Sequence, residues 1–355
     1  MLTPRRRLRR PLLGGLILLG LLGLASPQSE PPPPDPSKPH HGPDGRFRNP
    51  RLQTGQRTGA FFRWKLGLGE KDPVVQVPED FVFPNAMERA RNPGPTVTWV
   101  NHSTFLVSAG GLNVLTDPIW SDRCSPVQWV GPKRRHPPGV AFEDLPRIDH
   151  VFVSHSHYDH LDADTVKAIG DGPTWWVPLR LGAWFREQGI TRVVEMDWWD
   201  SREVPGPEGG TMRITSVPVQ HFSGRTPFDH NETLWSGWVV RIGKRQFYFA
   251  GDTGYNTRDF RDARRRLGPM DLALIPIGAY NPRWFMKQMH VNPEEAVRIH
   301  EDLGARLSIA MHWKTFKLTD EPPREPPYRL FLALKARGIP TDRFRVLEPG
   351  QRISW

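Results

Sequence analysis

The run Ser154-His155-Ser156-His157-Tyr158-Asp159-His160 limits what this chain can fold into more than any other stretch. It follows Val151-Phe152-Val153, an apolar run that reads as a buried strand, so three imidazoles and a carboxylate gather at a strand end. His155 and His157 lie two apart and would splay there, while Asp159 and His160 follow on the turn. Imidazole together with carboxylate suits Zn²⁺ and similar first-row divalent ions. A surface loop that is merely rich in histidine would show repeat character; this one shows none and carries Asp159 in register.

With 355 residues the chain can hold one large or two modest domains around a packed core. Cys124 is the only cysteine, which excludes an intrachain disulfide and any cysteine-based zinc site. Beside Pro126, it reads as a small loop residue rather than a nucleophile. The net charge of +10 would suit a polyanion partner. However, 12 Lys/Arg and 3 Asp/Glu fall in residues 1–65, which leaves about +1 for the rest. No nucleic-acid partner is therefore expected of the domain.

Residues 1–10 carry Arg5, Arg6, Arg7, Arg9 and Arg10, and Leu12 to Ala25 is uncharged and apolar. This pattern predicts a signal peptide or N-terminal membrane anchor over 1–25, short for a spanning helix. The protein is thus expected to be exported or membrane-associated, periplasmic or inner-membrane-anchored in a bacterium. Pro31 to Pro34, Pro36, Pro39 and Pro43 predict an extended, unpacked linker over 26–59, with His40 and His41 a solvated pair. The catalytic domain is expected over 60–355, its first part an irregular extension with aromatic residues at Phe61, Phe62 and Trp64.

Strand patterns occur at 96–107, 112–116, 149–154, 174–177, 192–197, 211–219, 237–242, 245–250, 271–276 and 306–310. Helical patterns occur at 163–169, 180–188, 258–267, 293–303 and 328–337, with Asn292 capping the fourth and Pro293 in its first turn. A two-sheet core covered by helices accommodates this order. Three more polar residues stand where strands give way to loops: His221 after Met212–Val219, Asp252 after Phe247–Ala250, and His312 after Ser308–Met311. Seven ligands with one shared carboxylate are what two metal ions would need.

The segment His155 to His160 resembles the HxHxDH signature of metallo-β-lactamase-fold hydrolases, and His221, Asp252 and His312 follow in that family's order. Trp99 to Ser103, Thr116-Asp117-Pro118, Gly251 to Tyr255, Ile277 to Met286, His290 to Ala296 and His312 to Phe316 are similar to the N-acylphosphatidylethanolamine-hydrolysing phospholipase D family. The resemblance covers roughly residues 60–355. It implies an α+β fold, the αββα four-layer sandwich of metallo-β-lactamase type, holding two Zn²⁺ ions. His155, His157 and His221 would bind one ion, Asp159, His160 and His312 the other, with Asp252 bridging. Tyr158 and His290 would touch the lipid phosphate region, with Asp252 and His290 in catalytic roles. Met289 departs from the polar Gln expected there in the animal enzymes.

The implied reaction is hydrolysis of N-acylphosphatidylethanolamine to an N-acylethanolamine and phosphatidic acid by a hydroxide held between the metals. The implied partner is a phospholipid at a membrane surface; a homodimer is a separate expectation, and the sequence leaves the oligomeric state open. Two other readings stand beside it: a hydrolase of the same fold acting on a lactone or another phosphate ester, and a metal-binding module without turnover.

Overall fold

The central strands bury both faces, so they read as unbroken apolar runs rather than as an alternation. The computed structural model describes residues 34–52, 59–85, 94–206 and 210–355. The expected export segment lies outside them, and no helix among the described residues is long and apolar enough to cross a membrane. A short helix α1 (Ala60–Lys65) precedes the first sheet. That sheet takes β1 (Thr96–Asn101), β2 (Thr104–Ala109), β3 (Leu112–Thr116), β4 (His150–Phe152), β5 (Thr174–Pro178) and β6 (Val193–Met196), with α2 (Ala163–Ile169) and α3 (Gly182–Glu187) between its later strands. The second sheet takes β7 (Ser201–Pro205), β8 (Thr211–Val217), β9 (Gly237–Ile242), β10 (Arg245–Phe249), β11 (Leu272–Pro276), β12 (Leu307–Met311) and β13 (Phe344–Arg345). The helices α4 (Asp259–Leu267), α5 (Arg283–Met286), α6 (Pro293–Leu303) and α7 (Glu325–Ala336) punctuate it. The last strand, β14 (Arg352–Ser354), returns to pair antiparallel with β1 and closes the edge of the first sheet.

The sheets share one plan, each running from an antiparallel half into a parallel half at β3–β4 and β10–β11 respectively. Period-2 alternation then divides the apolar side chains between layers. Phe152 and Trp176 stack at 6.1 Å between the sheets, with Trp238 5.4 Å from Phe152. Val151, Val153, Trp175 and Val177 face outward onto Val166 of α2 and Phe185 of α3. On the far side α6 packs on β11, α4 and α7. The result is the expected αββα sandwich. Helix α6 starts as its sequence predicts: Asn292 accepts from Glu295 N in a capping box and Pro293 occupies the first turn.

Two expectations are corrected. The run 96–107 is two strands, broken where His102 takes a left-handed φ of 40° and donates its backbone N–H to Thr315 Oγ1. That partner is 213 residues away, so the apolar pattern of the segment carries no sign of it. The segment read as an unpacked linker packs on the domain over its described residues 34–52. His40 and His41 are buried against Asp197 rather than solvated.

The sheets are bonded at the root of the histidine loop. Trp238 Nε1 donates to Val153 O at 2.9 Å, and Ser236 N donates to Ser154 O at 2.8 Å. Replacing Trp238 by Phe keeps an aromatic ring but strands a buried carbonyl. We expect Trp238→Phe to lower unfolding stability by about 1–3 kcal/mol in urea titration, and an unchanged midpoint would count against this link.

Candidate metal centre

Each expected ligand stands just beyond the C-terminal end of a strand: His155 to His160 after β4, His221 after β8, Asp252 after β10 and His312 after β12. All come together. Asp252 can approach the histidine loop because Gly251, at φ 56°, precedes it; a Cβ there would lie 2.4 Å from Ser154 Cβ.

The groups form two lobes. In one, His157 Nδ1 lies 2.8 Å from His155 Nε2 and 3.2 Å from His221 Nε2. In the other, Asp159 Oδ2 lies 3.3 Å from His160 Nε2 and 3.2 Å from His312 Nε2. Asp252 touches both. Its Oδ2 is 3.2 Å from His160 Nε2, 3.7 Å from His221 Nε2 and 4.0 Å from His155 Nε2, and its Oδ1 is 3.1 Å from His312 Nε2. His290 Nδ1 lies 3.8 Å from Asp252 Oδ2.

Hydrogen bonds behind the lobes fix which nitrogen faces inward. His221 Nδ1 donates to Met289 O at 2.9 Å, which leaves the Nε2 lone pair free. Asp117 accepts from Ser154 N at 2.7 Å, Ser154 Oγ at 2.6 Å and His160 Nδ1 at 2.6 Å. With its hydroxyl hydrogen committed to Asp117, Ser154 Oγ accepts from His155 Nδ1 at 2.8 Å, so His155 Nε2 also presents a lone pair. His102 Nε2 donates to Asp159 Oδ2 at 2.9 Å.

Protonation follows from burial and charge. Burial keeps His155 and His221 well below the ordinary imidazole range and lowers His157 to about 4, so these three are neutral. Burial also opposes charge on Asp159 and Asp252, but His160 and its neighbours outweigh it and hold both carboxyls ionised. Burial likewise opposes charge on His160 and His312. For these two the carboxylates win, raising His160 well above its ordinary value and His312 to about 9. His160 Nε2 and Asp252 Oδ1 are buried without a hydrogen bond despite standing close to opposite partners. Orphaned donors and acceptors of this kind, among neutral imidazoles and ionised carboxylates, fit a divalent cation in place of protons.

A cavity of about 660 Å³ opens over the cluster. His157, Asp159, Asp252 and His290 form its floor, and Trp64, Phe222, Phe285, Met286, Met289 and Leu318 its walls. Met289 therefore acts twice: its carbonyl holds His221 while its side chain lines the cavity. Tyr158, expected to meet substrate, is not among the lining residues. Its hydroxyl donates to Arg225 O at 3.1 Å and its ring lies 4.0 Å under the Arg225 guanidinium, so both its polar and its aromatic capacity are used. Sequence reasoning also missed His102 and Asp117. Asp117 carries the signal that marks Asp252, an acid at the end of an apolar strand. Cys124 is buried, which pushes its thiol far up and makes it unreactive.

Fold and cluster together define a metal-dependent hydrolase. The Beta-lactamase superfamily domain profile matches residues 112–313. N-acyl-phosphatidylethanolamine-hydrolyzing phospholipase D 1 of Caenorhabditis elegans is 47% identical over 310 residues, 82% of this chain and 87% of that protein. The mitochondrial N-acyl-phosphatidylethanolamine-hydrolyzing phospholipase D of Saccharomyces cerevisiae is 33% identical over 290 residues, 78% of this chain and 62% of that one. Among solved structures, a metallo hydrolase of Ignicoccus hospitalis superposes with a TM-score of 0.55 at 22% identity, covering 73% of this chain and 97% of its own. The chain belongs to the metallo-β-lactamase superfamily, on the branch similar to the N-acylphosphatidylethanolamine-hydrolysing phospholipases D.

Two outcomes follow. Asp117→Asn should weaken metal affinity about 10–100-fold in chelator competition, and unchanged affinity would remove Asp117 from its supporting role. His312 is raised from 6.5 to about 9, so its stabilisation of the metal-free protein is complete below 6.5 and is lost as pH rises through 9. Calorimetry should show the metal-free Tm falling over that interval, with no such fall in the metal-loaded protein. A metal-free Tm that is flat from 6.5 to 9 would contradict the pairing of His312 with Asp252 and Asp159.

Proposed function

We propose that the protein is a phospholipase of the D type that hydrolyses N-acylphosphatidylethanolamine at a membrane surface, using two zinc ions. The observation that favours this substrate is an apolar cavity set directly over the His/Asp cluster, whose chemistry suits a phosphodiester and whose walls suit an acyl arm. His155, His157 and His221 would hold one ion, Asp159, His160 and His312 the other, and Asp252 both. When bound, such ions make a water acidic enough to ionise near neutral pH and stabilise charge growing on a phosphoryl oxygen.

The chain's own residues do the rest. Burial lowers His290 to about 4, so this cavity-floor imidazole is neutral, and its Nδ1 has no hydrogen-bond partner in the protein. It can donate N–H to a phosphoryl oxygen without competing for charge. Phe222, Phe285, Met286, Met289 and Leu318 exclude bulk water and hold the N-acyl arm. In the balanced reaction the water oxygen bonds to phosphorus as the P–O bond to the N-acylethanolamine breaks. The water proton leaves on that alcohol, and phosphatidic acid remains.

Phe61 and Trp64 of α1 reach into the cavity, and Phe62, Leu66 and Leu68 stand exposed beside them with Arg63 and Lys65 between. An apolar rim studded with cations suits anionic phospholipid headgroups. An N-terminal export signal or anchor over 1–25 would deliver the domain to such a surface.

Purified protein loaded with zinc should release N-acylethanolamine and phosphatidic acid in equal amounts from vesicles containing N-acylphosphatidylethanolamine. His290→Ala should cut kcat/KM about 100-fold or more while zinc content stays intact. Efficient lactone opening with no lipid cleavage would reject the assignment.

A further inference from the structure

Residues 34–52 belong to no strand or helix, yet they reach the cluster from behind. Their peg is Asp197, whose carboxylate takes Lys38 Nζ at 2.6 Å on Oδ2, His40 Nε2 at 2.6 Å on Oδ1 and His41 Nε2 at 3.0 Å on Oδ2. These two histidines and the aspartate could be read as a further metal site. The hydrogen bonds argue otherwise. Asp35 N donates to His41 Nδ1 at 2.8 Å, so the proton of that neutral ring sits on Nε2, which therefore donates to Asp197 and has no lone pair to offer. The trio is a lock. His40 lies 4.4 Å over Trp198 and His41 packs edge-on to Phe47, which buries the lock beneath the segment.

Beyond the lock, the segment grips the chain that carries His221. Asn49 Nδ2 donates to His221 O at 2.6 Å. Phe47 N donates to Asn231 O at 2.8 Å. The Arg46 guanidinium donates to Phe228 O at 2.9 Å, to His230 O and to Glu232 Oε1. This 221–232 stretch supplies one ligand, His221, and four cavity-wall residues, Phe222, Thr226, Pro227 and His230. It is held from the opposite side by Arg225, which donates to the carbonyls of Ser156 and Leu161 in the histidine loop. Strap and histidine loop thus clamp one wall between them.

We propose that residues 38–51 are a positioning strap of the catalytic centre: Asn49 fixes the backbone of His221, Arg46 fixes the cavity wall, and Asp197 anchors both. The inference rests on the reading of His221 as a metal ligand. A segment that is only structural would stabilise the fold and leave metal and substrate binding alone. A positioning segment is linked to them, and the linkage is reciprocal: if the strap favours the metal-binding geometry of His221, metal must tighten the strap.

The test uses the full chain, stripped of metal and then reloaded with zinc alone. Hydrogen exchange across residues 38–51 should slow about fivefold or more on zinc loading. In Asn49→Asp, which keeps the side-chain shape but removes the donor, zinc should be lost to a chelator about tenfold faster, and Tm should fall more in the zinc-loaded protein than in the metal-free protein. Arg46→Met, which touches the wall and not His221, should raise KM for N-acylphosphatidylethanolamine vesicles while zinc retention holds. Equal exchange with and without zinc, in protein whose zinc content is normal, overturns the strap. If the parent protein takes up no zinc, the assignment of His221 fails first and the strap falls with it. Should Asn49→Asp not fold, the exchange comparison on the parent protein still decides.

Discussion

The rest of the structure depends on one buried carboxylate shared by two sets of imidazoles. Asp252 is ionised although buried, where an uncompensated charge would be costly. Its oxygens lie between 3.1 and 4.0 Å from the nitrogens of four ligand histidines, His155, His160, His221 and His312, drawn from three different loops. Such a convergence is tolerable only if positive charge is supplied. Raised protonation of His160 and His312 supplies it in the metal-free protein, and divalent cations are the substitute that the donor set favours. The C-terminal ends of β4, β8, β10 and β12 meet at this one place, so the fold delivers the ligands and the ligands in turn tie the sheets.

What keeps the site from collapsing into ordinary hydrogen bonds is the shell behind it. Asp117, Ser154 and Met289 O each engage the outward nitrogen of an imidazole, which commits the inward nitrogen to the cavity side. His102, Asp117 and His312 all hold left-handed backbone angles, at 40°, 31° and 60°. Strain of this kind persists where surrounding contacts over-determine it, and it clusters at functional sites. The apolar cavity above adds selectivity: Phe222 to His230 continue the loop that carries His221, while Trp64, Phe285 and Met286 come from α1 and α5, so part of the wall is tied to the metal floor and part is not.

Much of this was legible in the residues. His155, His157, Asp159, His160, His221, Asp252 and His312 announce themselves because each is a polar group ending an apolar strand, and the structure gathers all seven. The sandwich was legible from the order of strand and helix patterns. Other features were not, for physical reasons. The packing of His40 and His41 depends on Asp197, more than 150 residues away, while proline density pointed to an unpacked segment. The break at His102 depends on Thr315. Tyr158 stands inside the ligand motif, yet its side chain is used by Arg225, a partner with no local signature. The two- and three-residue strands β13 and β14 are too short to show alternation and exist because neighbouring strands offer open edges.

In the proposed centre seven side chains hold two cations with Asp252 between them. Anomalous diffraction at the zinc absorption edge, on crystals of zinc-loaded protein, tests it most directly. Two peaks are expected, one bounded by His155, His157 and His221, the other by Asp159, His160 and His312, each in contact with Asp252. A single peak, or peaks away from Asp252, would contradict it.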